Sequence, residues 1–244
     1  MSPLTIRLMF AARLDHLGAR WNRAKEKLGW PQAWLREFAE HLGDARLLPE
    51  EFWVRYTLKR LAAAEDLATP HTEATALDFY RRSDYLLWRQ VVHRRHSQWR
   101  RVLVTMPRAD GNLLEFGSGI APVSAWCAPR RPNWDFWPQD VVGSPHHTYG
   151  LWRLRDRLQW ADAFEVITAL DVFEHLADPY GEAKRLLDRL APGGILHWNF
   201  VASSDRRDLD LATPQDRART LHLLNALPLL WAGPGHRVSR LGAR

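Results

Sequence analysis

The chain is short of cysteine, of lysine relative to arginine, and of long apolar runs, and each shortage closes off a class of protein. Its one cysteine, Cys127, has no partner for an internal disulfide, so a stapled scaffold is excluded and a reducing, cytoplasmic setting is expected. No stretch approaches the roughly 18 apolar residues that a membrane-spanning helix needs; residues 223–231 are apolar but too few. The amino terminus lacks a signal-peptide pattern, because Arg7 interrupts its apolar residues and Arg13, Asp15 and His16 follow. Internal repeats and low-complexity tracts are missing. Metal-ligand spacing is missing as well. His93 and His96 lie three apart on a helical stretch without an evident third ligand, so a solvated helix face is favoured and no metal is expected.

What is present suits a globular protein. With 244 residues, 46% of them hydrophobic, the chain can bury a core as one large domain or as a domain with a helical attachment. The formal charge of +6 is compatible with nucleic-acid binding. The basic residues are spread along the chain with acidic residues among them, which favours a solvated, Arg-rich surface. Thirteen tryptophans are expected mostly in the core and between helices.

Two halves read differently. Residues 1–108 are helical in pattern, with no convincing strand. Leu17, Trp21 and Leu28 suit an amphipathic helix over 14–28. Pro31 precedes a second helix carrying Trp34, Leu35, Phe38 and Leu42, with Gly43 as its stop. Pro49 starts a third, with Phe52, Tyr56, Leu58 and Leu61 as its buried stripe, and Pro70 marks a break. A long helix is predicted over 75–103, burying Phe79, Leu86, Leu87, Val91 and Val92.

From residue 109 onward short apolar runs alternate with helical stretches, the pattern of a parallel α/β sheet. Strands are predicted at 113–116, 134–140, 164–170 and 195–201, with a very short one at 148–150. Helices are predicted at 122–128, 151–161, 179–190 and 213–230, and Pro192-Gly193-Gly194 reads as a turn.

The segment richest in chemistry is Leu113-Leu114-Glu115-Phe116-Gly117-Ser118-Gly119-Ile120-Ala121. An apolar strand feeds a glycine turn that opens a helix, and glycine lets a ligand approach the backbone. A dinucleotide site would want a further glycine where Pro122 stands, and it would not welcome Glu115 beside a pyrophosphate. A cationic amino-acid ligand would.

This segment resembles the first motif of class I S-adenosylmethionine-dependent methyltransferases, an acidic residue followed by G-x-G-x-G, with Ala121 in the third small position. Three further segments match in order. Asp140 ends the second predicted strand, where the family holds both ribose hydroxyls with a carboxylate; Asp135, inside the apolar run, is the rival. Asp171-Val172-Phe173-Glu174-His175, followed by Asp178-Pro179, is similar to the fourth strand's following loop. Leu190-Ala191-Pro192-Gly193-Gly194 is similar to the turn before the fifth strand.

The resemblance covers roughly residues 110–202. It implies a Rossmann-like methyltransferase sheet over 109–244 beneath an all-helical amino-terminal cap over 1–108. It implies S-adenosyl-L-methionine as cofactor, held by Glu115, Gly117, Ser118, Gly119, Asp140, Asp171 and Val172. His175 and Glu174 are the catalytic candidates: His175 as a general base for a hydroxyl or protonated nitrogen, or alternatively as a helix cap or packing residue. Glu174 with His175 could also help hold a divalent metal.

Two departures stand out. The interval between Asp140 and the fourth strand is too short for the usual helix, strand and helix, leaving the adenine contact open, with Asp156 as a candidate. Only about forty residues follow Val201, which suggests a sheet shortened at its carboxyl-terminal edge. His146-His147 falls in the shortened interval and reads as a surface loop. Tyr80 and Tyr85 precede the first motif on a helix, as cofactor cover or as packing. The acceptor is expected to be a small molecule. An RNA or protein substrate, or a non-catalytic partner keeping the fold, are the alternatives.

Overall fold

The computed structural model describes residues 2–11, 13–14, 17, 33–44, 47–68, 71–93, 99–107, 109–200, 209–233 and 236–242. The predicted helix over 14–28 lies almost wholly outside them. So do Pro31 and Pro70.

The amino-terminal part is helical: α1 Ala33–His41, α2 Pro49–Ala62, α3 Ala64–Ala68, α4 Glu73–Arg82, α5 Asp84–His93 and α6 Trp99–Thr105. Pro49 starts α2 because a first turn has no use for its missing N–H. Thr72 caps α4 through a reciprocal pair of bonds with Thr75. The single long helix predicted over 75–103 is broken at Ser83, which is extended with ψ at 101°. Asp84 then favours a new helix start at α5. Phe79, Leu86, Leu87, Val91 and Val92 are all buried as predicted. The α2 stripe is only half right. Phe52 is buried, but Leu58 and Leu61 are 60% and 67% exposed, since α2 leans on its neighbours through the Phe52 side alone.

The remainder is a six-stranded sheet flanked by helices: β1 Gly111–Phe116, α7 Pro122–Cys127, β2 Trp134–Gln139, α8 Pro145–Arg153, β3 Phe164–Ala169, α9 Pro179–Asp188, β4 Leu190–Trp198, α10 Pro214–Asn225, β5 Leu229–Gly233 and β6 His236–Arg240. The spatial order is β2-β1-β3-β4-β6-β5. The first four strands run parallel, and β6 is antiparallel to both β4 and β5. Pro138 is tolerated because β2 is an edge strand. Leu113 and Leu114 point to opposite faces and both are fully buried. Each such burial contributes about 1.5–3 kcal/mol. Leu113 packs with Val102 and Phe136 on one face, and Leu114 with Leu186 and Trp198 on the other.

The short side of the sheet is opposite to the one expected. Residues 229–233 leave the predicted helix at Asn225 and pair with β6, so the carboxyl-terminal edge ends in a complete hairpin. At the β2 edge, the outer strand shrinks to one parallel bridge between Phe136 and Leu158. The predicted strand at 148–150 is instead part of α8, which ends at Arg153 rather than continuing to 161. Pro192-Gly193-Gly194 bulges within β4: the partner of β3 jumps from Leu190 opposite Phe164 to Ile195 opposite Val166.

Residues before 109 also contribute to the sheet's core. Leu8 packs against Ile195 and Val238, and Val102 of α6 against Leu113. Conversely, Ile120 and Tyr149 enter the aromatic cluster of the helical part, with Phe38, Phe52 and Trp88.

Candidate active site

The order of strands reverses between β1 and β3, which sit side by side although β2 intervenes in sequence. In such a sheet the crevice beyond the carboxyl ends at that point is the binding place. The glycine turn leaves β1 there, and the Asp171–His175 loop leaves β3.

The turn is held in the left-handed region at Gly117 (φ 64°), Gly119 (φ 51°) and Ala121 (φ 50°). Glycine is required at Gly117 because a Cβ would lie 1.8 Å from Val172 Cγ2, and a Cβ at Gly119, besides its left-handed backbone, would displace the Gln90 amide 2.0 Å away. Val172 and Gln90 therefore shape the turn from either side. Gln90 Oε1 accepts the Ile120 N–H at 3.0 Å.

Glu115 is buried beneath the turn, and its two oxygens accept the Val123 and Ser124 N–H groups at 3.0 and 2.7 Å. Burial pushes its carboxyl up to about 7, against the pull of those bonds and of Arg153. The carboxyl thus anchors the start of α7 through its two accepted bonds, a use the sequence does not signal. Ser118 Oγ, buried in the turn, has no hydrogen-bond partner among the described residues.

Asp140 follows β2. Its Oδ2 accepts the Gly119 N–H at 2.6 Å, while Oδ1 accepts the Val141 N–H at 2.7 Å and faces His146 Nε2 at 3.2 Å. Burial works to raise its pKa, but His146 and the two N–H groups outweigh burial and hold the carboxyl below the usual range. Asp135 sits within β2, and Asp156 is exposed. His146 and His147 are buried in α8 rather than set on a surface loop. Ser144 Oγ accepts the His147 N–H at 3.3 Å, which starts α8 and turns both rings inward.

Beyond β3, Asp171 adopts φ 56°. Its N–H donates to Asn199 Oδ1 and its Oδ1 accepts from Asn199 Nδ2, both at 2.6 Å. The pair ties the loops after β3 and β4 together. Glu174 is buried, and its Oε2 has no hydrogen-bond partner among the described residues. Burial raises its pKa, and the Asp171 and Asp210 carboxylates add to the rise. His175 Nδ1 lies 3.1 Å from both Asp210 Oδ1 and the Leu209 carbonyl. Burial disfavours its cation, yet the bond to Asp210 and the nearby Glu174 carry its pKa upward overall.

Tyr80 of α4 closes the constellation from the cap side, its ring 5.8 Å from that of His146. Burial raises its phenol, and Asp140, Asp210 and Glu174 reinforce the rise. Tyr85 packs on Tyr56 instead. The site is therefore acidic inside a chain of net positive charge. Among the described residues, no group of three or more His, Cys, Asp or Glu side chains is placed to hold a metal ion.

A family model described as a methyltransferase domain matches residues 88–232. The chain belongs to this family. Its domain is of the class I, S-adenosylmethionine-dependent kind that the four motifs resemble. No curated protein matches the chain in sequence.

Among solved structures, an O-methyltransferase family protein from Burkholderia thailandensis is similar at 11% identity, covering 79% of this chain and 71% of its own, with a TM-score of 0.51. The O-methyltransferase NcsB1 of neocarzinostatin biosynthesis, in complex with S-adenosylmethionine and 2-hydroxy-5-methyl naphthoic acid, is similar at 13% identity, covering 81% and 72%, also with a TM-score of 0.51. An O-methyltransferase family 2 protein from Planctomyces limnophilus, in complex with apigenin, has 12% identity and a TM-score of 0.49, and the chain spans 64% of its length. At these identities the likeness is one of fold. The first two alignments take in four-fifths of the chain, so they extend into the residues before 109. Among the described residues no helix is long and apolar enough to cross a membrane.

Several residues of the candidate site carry no local sequence signal. Asn199 directly follows β4, and its place beyond a strand's carboxyl end is the one hint that could have found it. Gln90, Ser144 and Asp210 belong to no motif, and only folding brings them to the turn or the loop.

Proposed function

We propose that the protein transfers the methyl group of S-adenosylmethionine to a small-molecule acceptor, with His175 as general base. The observation that carries this reading is the gathering of Asp140, Glu174 and Asp210 around Tyr80, with Asp140 also bonded to the glycine turn and Asp171 beside Glu174. An acidic crevice suits a ligand with an ammonium and a sulfonium. Buried Ser118 Oγ and Glu174 Oε2, with no protein partner, fit a polar ligand better than empty space, since such groups are costly to leave unpaired. Asp140 Oδ2 makes one protein bond, which leaves acceptor capacity for a ribose hydroxyl.

The cofactor supplies an activated methyl group, so the chain's work is alignment, exclusion of water and, for a protonated acceptor, removal of a proton. Asp140 and the turn would hold the nucleoside end. Tyr80 and α4 would wall the crevice from the cap side. The His175 imidazole, oriented through Nδ1 by Asp210 and the Leu209 carbonyl, would take the acceptor's proton on Nε2 as the acceptor oxygen or nitrogen attacks. The small-molecule acceptor draws support from the ligand of NcsB1, which shares the fold.

The test is incubation with methyl-labelled S-adenosylmethionine and separate pools of hydroxylated aromatic acids, phenols, RNA and protein. Label in a small-molecule product is expected. Label confined to RNA or protein would overturn the acceptor class.

A further inference from the structure

Arg153 ends α8, with only 10% of its side chain exposed. Its Nη1 donates to the Ile120 carbonyl at 2.7 Å and, more weakly, to the Ala121 carbonyl at 3.4 Å. Its Nε donates at 2.6 Å to Glu37 Oε1 of α1, 116 positions away in the chain. One guanidinium thus joins the cap to the carbonyls of the glycine turn. The turn needs such a clamp. Ala121 holds φ 50° and ψ 52°, a left-handed conformation that L-residues other than glycine adopt only when their surroundings enforce it. Contacts around it are tight. A Cβ on Gly150 of α8 would lie 2.8 Å from the Gly119 carbonyl, so α8 packs directly on the turn's backbone. The flat face of Arg153 also lies over Tyr149, with 5.6 Å to the ring centroid.

We infer that Arg153 and Glu37 are positioning residues for the cofactor turn, and that this cap contact sets cofactor affinity without either side chain touching the cofactor. This rests on the reading of the turn as the S-adenosylmethionine site. The Ile120 carbonyl shares a peptide plane with the Ala121 N–H, so holding it from outside fixes that amide, and the Ala121 carbonyl fixes the entry into Pro122 and α7. The amides of Gly119, Ile120 and Ala121 are in turn bonded to Asp140, Gln90 and the Ser118 carbonyl. A lysine cannot reproduce the arrangement, because a single ammonium lacks the planar fork that reaches a carboxylate and two carbonyls at once. Glu37 matters because it holds the fork. Without it, the charged head is freer to leave the carbonyls for water.

The test uses the full chain and two readouts. Calorimetric titration with S-adenosylhomocysteine should show about two- to tenfold weaker binding for Glu37→Gln. Arg153→Met should weaken it further, Arg153→Lys should not restore it, and the double variant Glu37→Gln/Arg153→Met should be no weaker than Arg153→Met alone. Asp84→Asn, which breaks the Lys59–Asp84 pair elsewhere in the cap, should leave affinity unchanged. Amide hydrogen exchange in ligand-free protein gives the second readout: residues 119–125 should exchange faster in Glu37→Gln and not in Asp84→Asn. Unchanged exchange across 119–125 in Glu37→Gln would overturn the inference, and so would wild-type affinity in that variant. Wild-type protein that ignores S-adenosylhomocysteine would instead remove the cofactor reading, while the exchange result would still decide whether cap and turn are coupled.

Discussion

His146 Nε2 stands 3.2 Å from Asp140 Oδ1, and the ring of His146 is wholly buried. This contact turns a carboxylate that burial alone would make less acidic into one that stays charged below the ordinary range. If anionic Asp140 binds the ribose, the wild type keeps its cofactor affinity well into the acid range. His146→Phe should shift the loss of affinity to higher pH, because burial then acts unopposed by the histidine. Titrations with S-adenosylhomocysteine across pH 4 to 8, roughly the span of the two side chains' ordinary pKa values, read this directly. Asp140→Ala should weaken binding about tenfold to a hundredfold, the value of roughly 1.5–3 kcal/mol for bonds to a charged acceptor.

His175 should control turnover and not cofactor binding. His175→Ala should lower the rate by about 10²–10⁴-fold and leave the affinity for S-adenosylhomocysteine nearly intact. A base must be neutral to act. With its pKa raised by Asp210 and Glu174, the acidic limb of the rate profile should lie above the ordinary histidine range. Asp210→Asn should move that limb to lower pH. Wild-type turnover in folded His175→Ala would reduce the mechanism to alignment.

Gly117 should tolerate no side chain. Gly117→Ala meets Val172 Cγ2 at 1.8 Å in a left-handed backbone. Overpacking and backbone strain together should cost about 2–4 kcal/mol, read as a fall in Tm. Adding Val172→Ala should recover the steric part and leave the strain.

Much of this was legible in the sequence. The glycine turn, Asp140 and the loop at 171–175 announce themselves because each follows a short apolar strand, and strand ends are where this architecture binds. The helix break at Ser83 was not legible, since residues on both sides keep one apolar periodicity. Nor was the strand at 229–233. Its residues are as apolar as the helix before them, and pairing with β6 decides their conformation. His146 looked like a loop residue because nothing local reveals that Ser144 starts a helix and turns the ring under Asp140. Glu115 is expected at the ligand from its charge and from the motif it resembles, while in the fold both its oxygens accept N–H groups at the start of α7.

A second buried histidine pair bears on stability. Thr105 Oγ1 donates to the Val102 carbonyl at 2.7 Å and lies 2.8 Å from His197 Nε2, so it accepts from that nitrogen. His197 Nδ1 then accepts from His236 Nε2 at 2.9 Å, and both rings are neutral. Burial, with Arg101 nearby, lowers His197 to about 3 and His236 well below its usual value. Folded values below the unfolded ones mean that this stability is fully present above roughly pH 6.5 and is lost as pH falls, by about 1.4 kcal/mol per pH unit for each group. His197→Gln should flatten the dependence of unfolding free energy on pH between about 4 and 6.5. A slope equal to the wild type's would show that the pair titrates normally.

The central claim is that the glycine turn and Asp140 form an S-adenosylmethionine site. Calorimetric titration of the full chain with S-adenosylhomocysteine and, separately, with NAD tests it most directly. The account predicts saturable one-to-one binding of S-adenosylhomocysteine, weakened by Asp140→Ala, and no heat of binding with NAD. Binding of NAD, or S-adenosylhomocysteine affinity indifferent to Asp140→Ala, would contradict it.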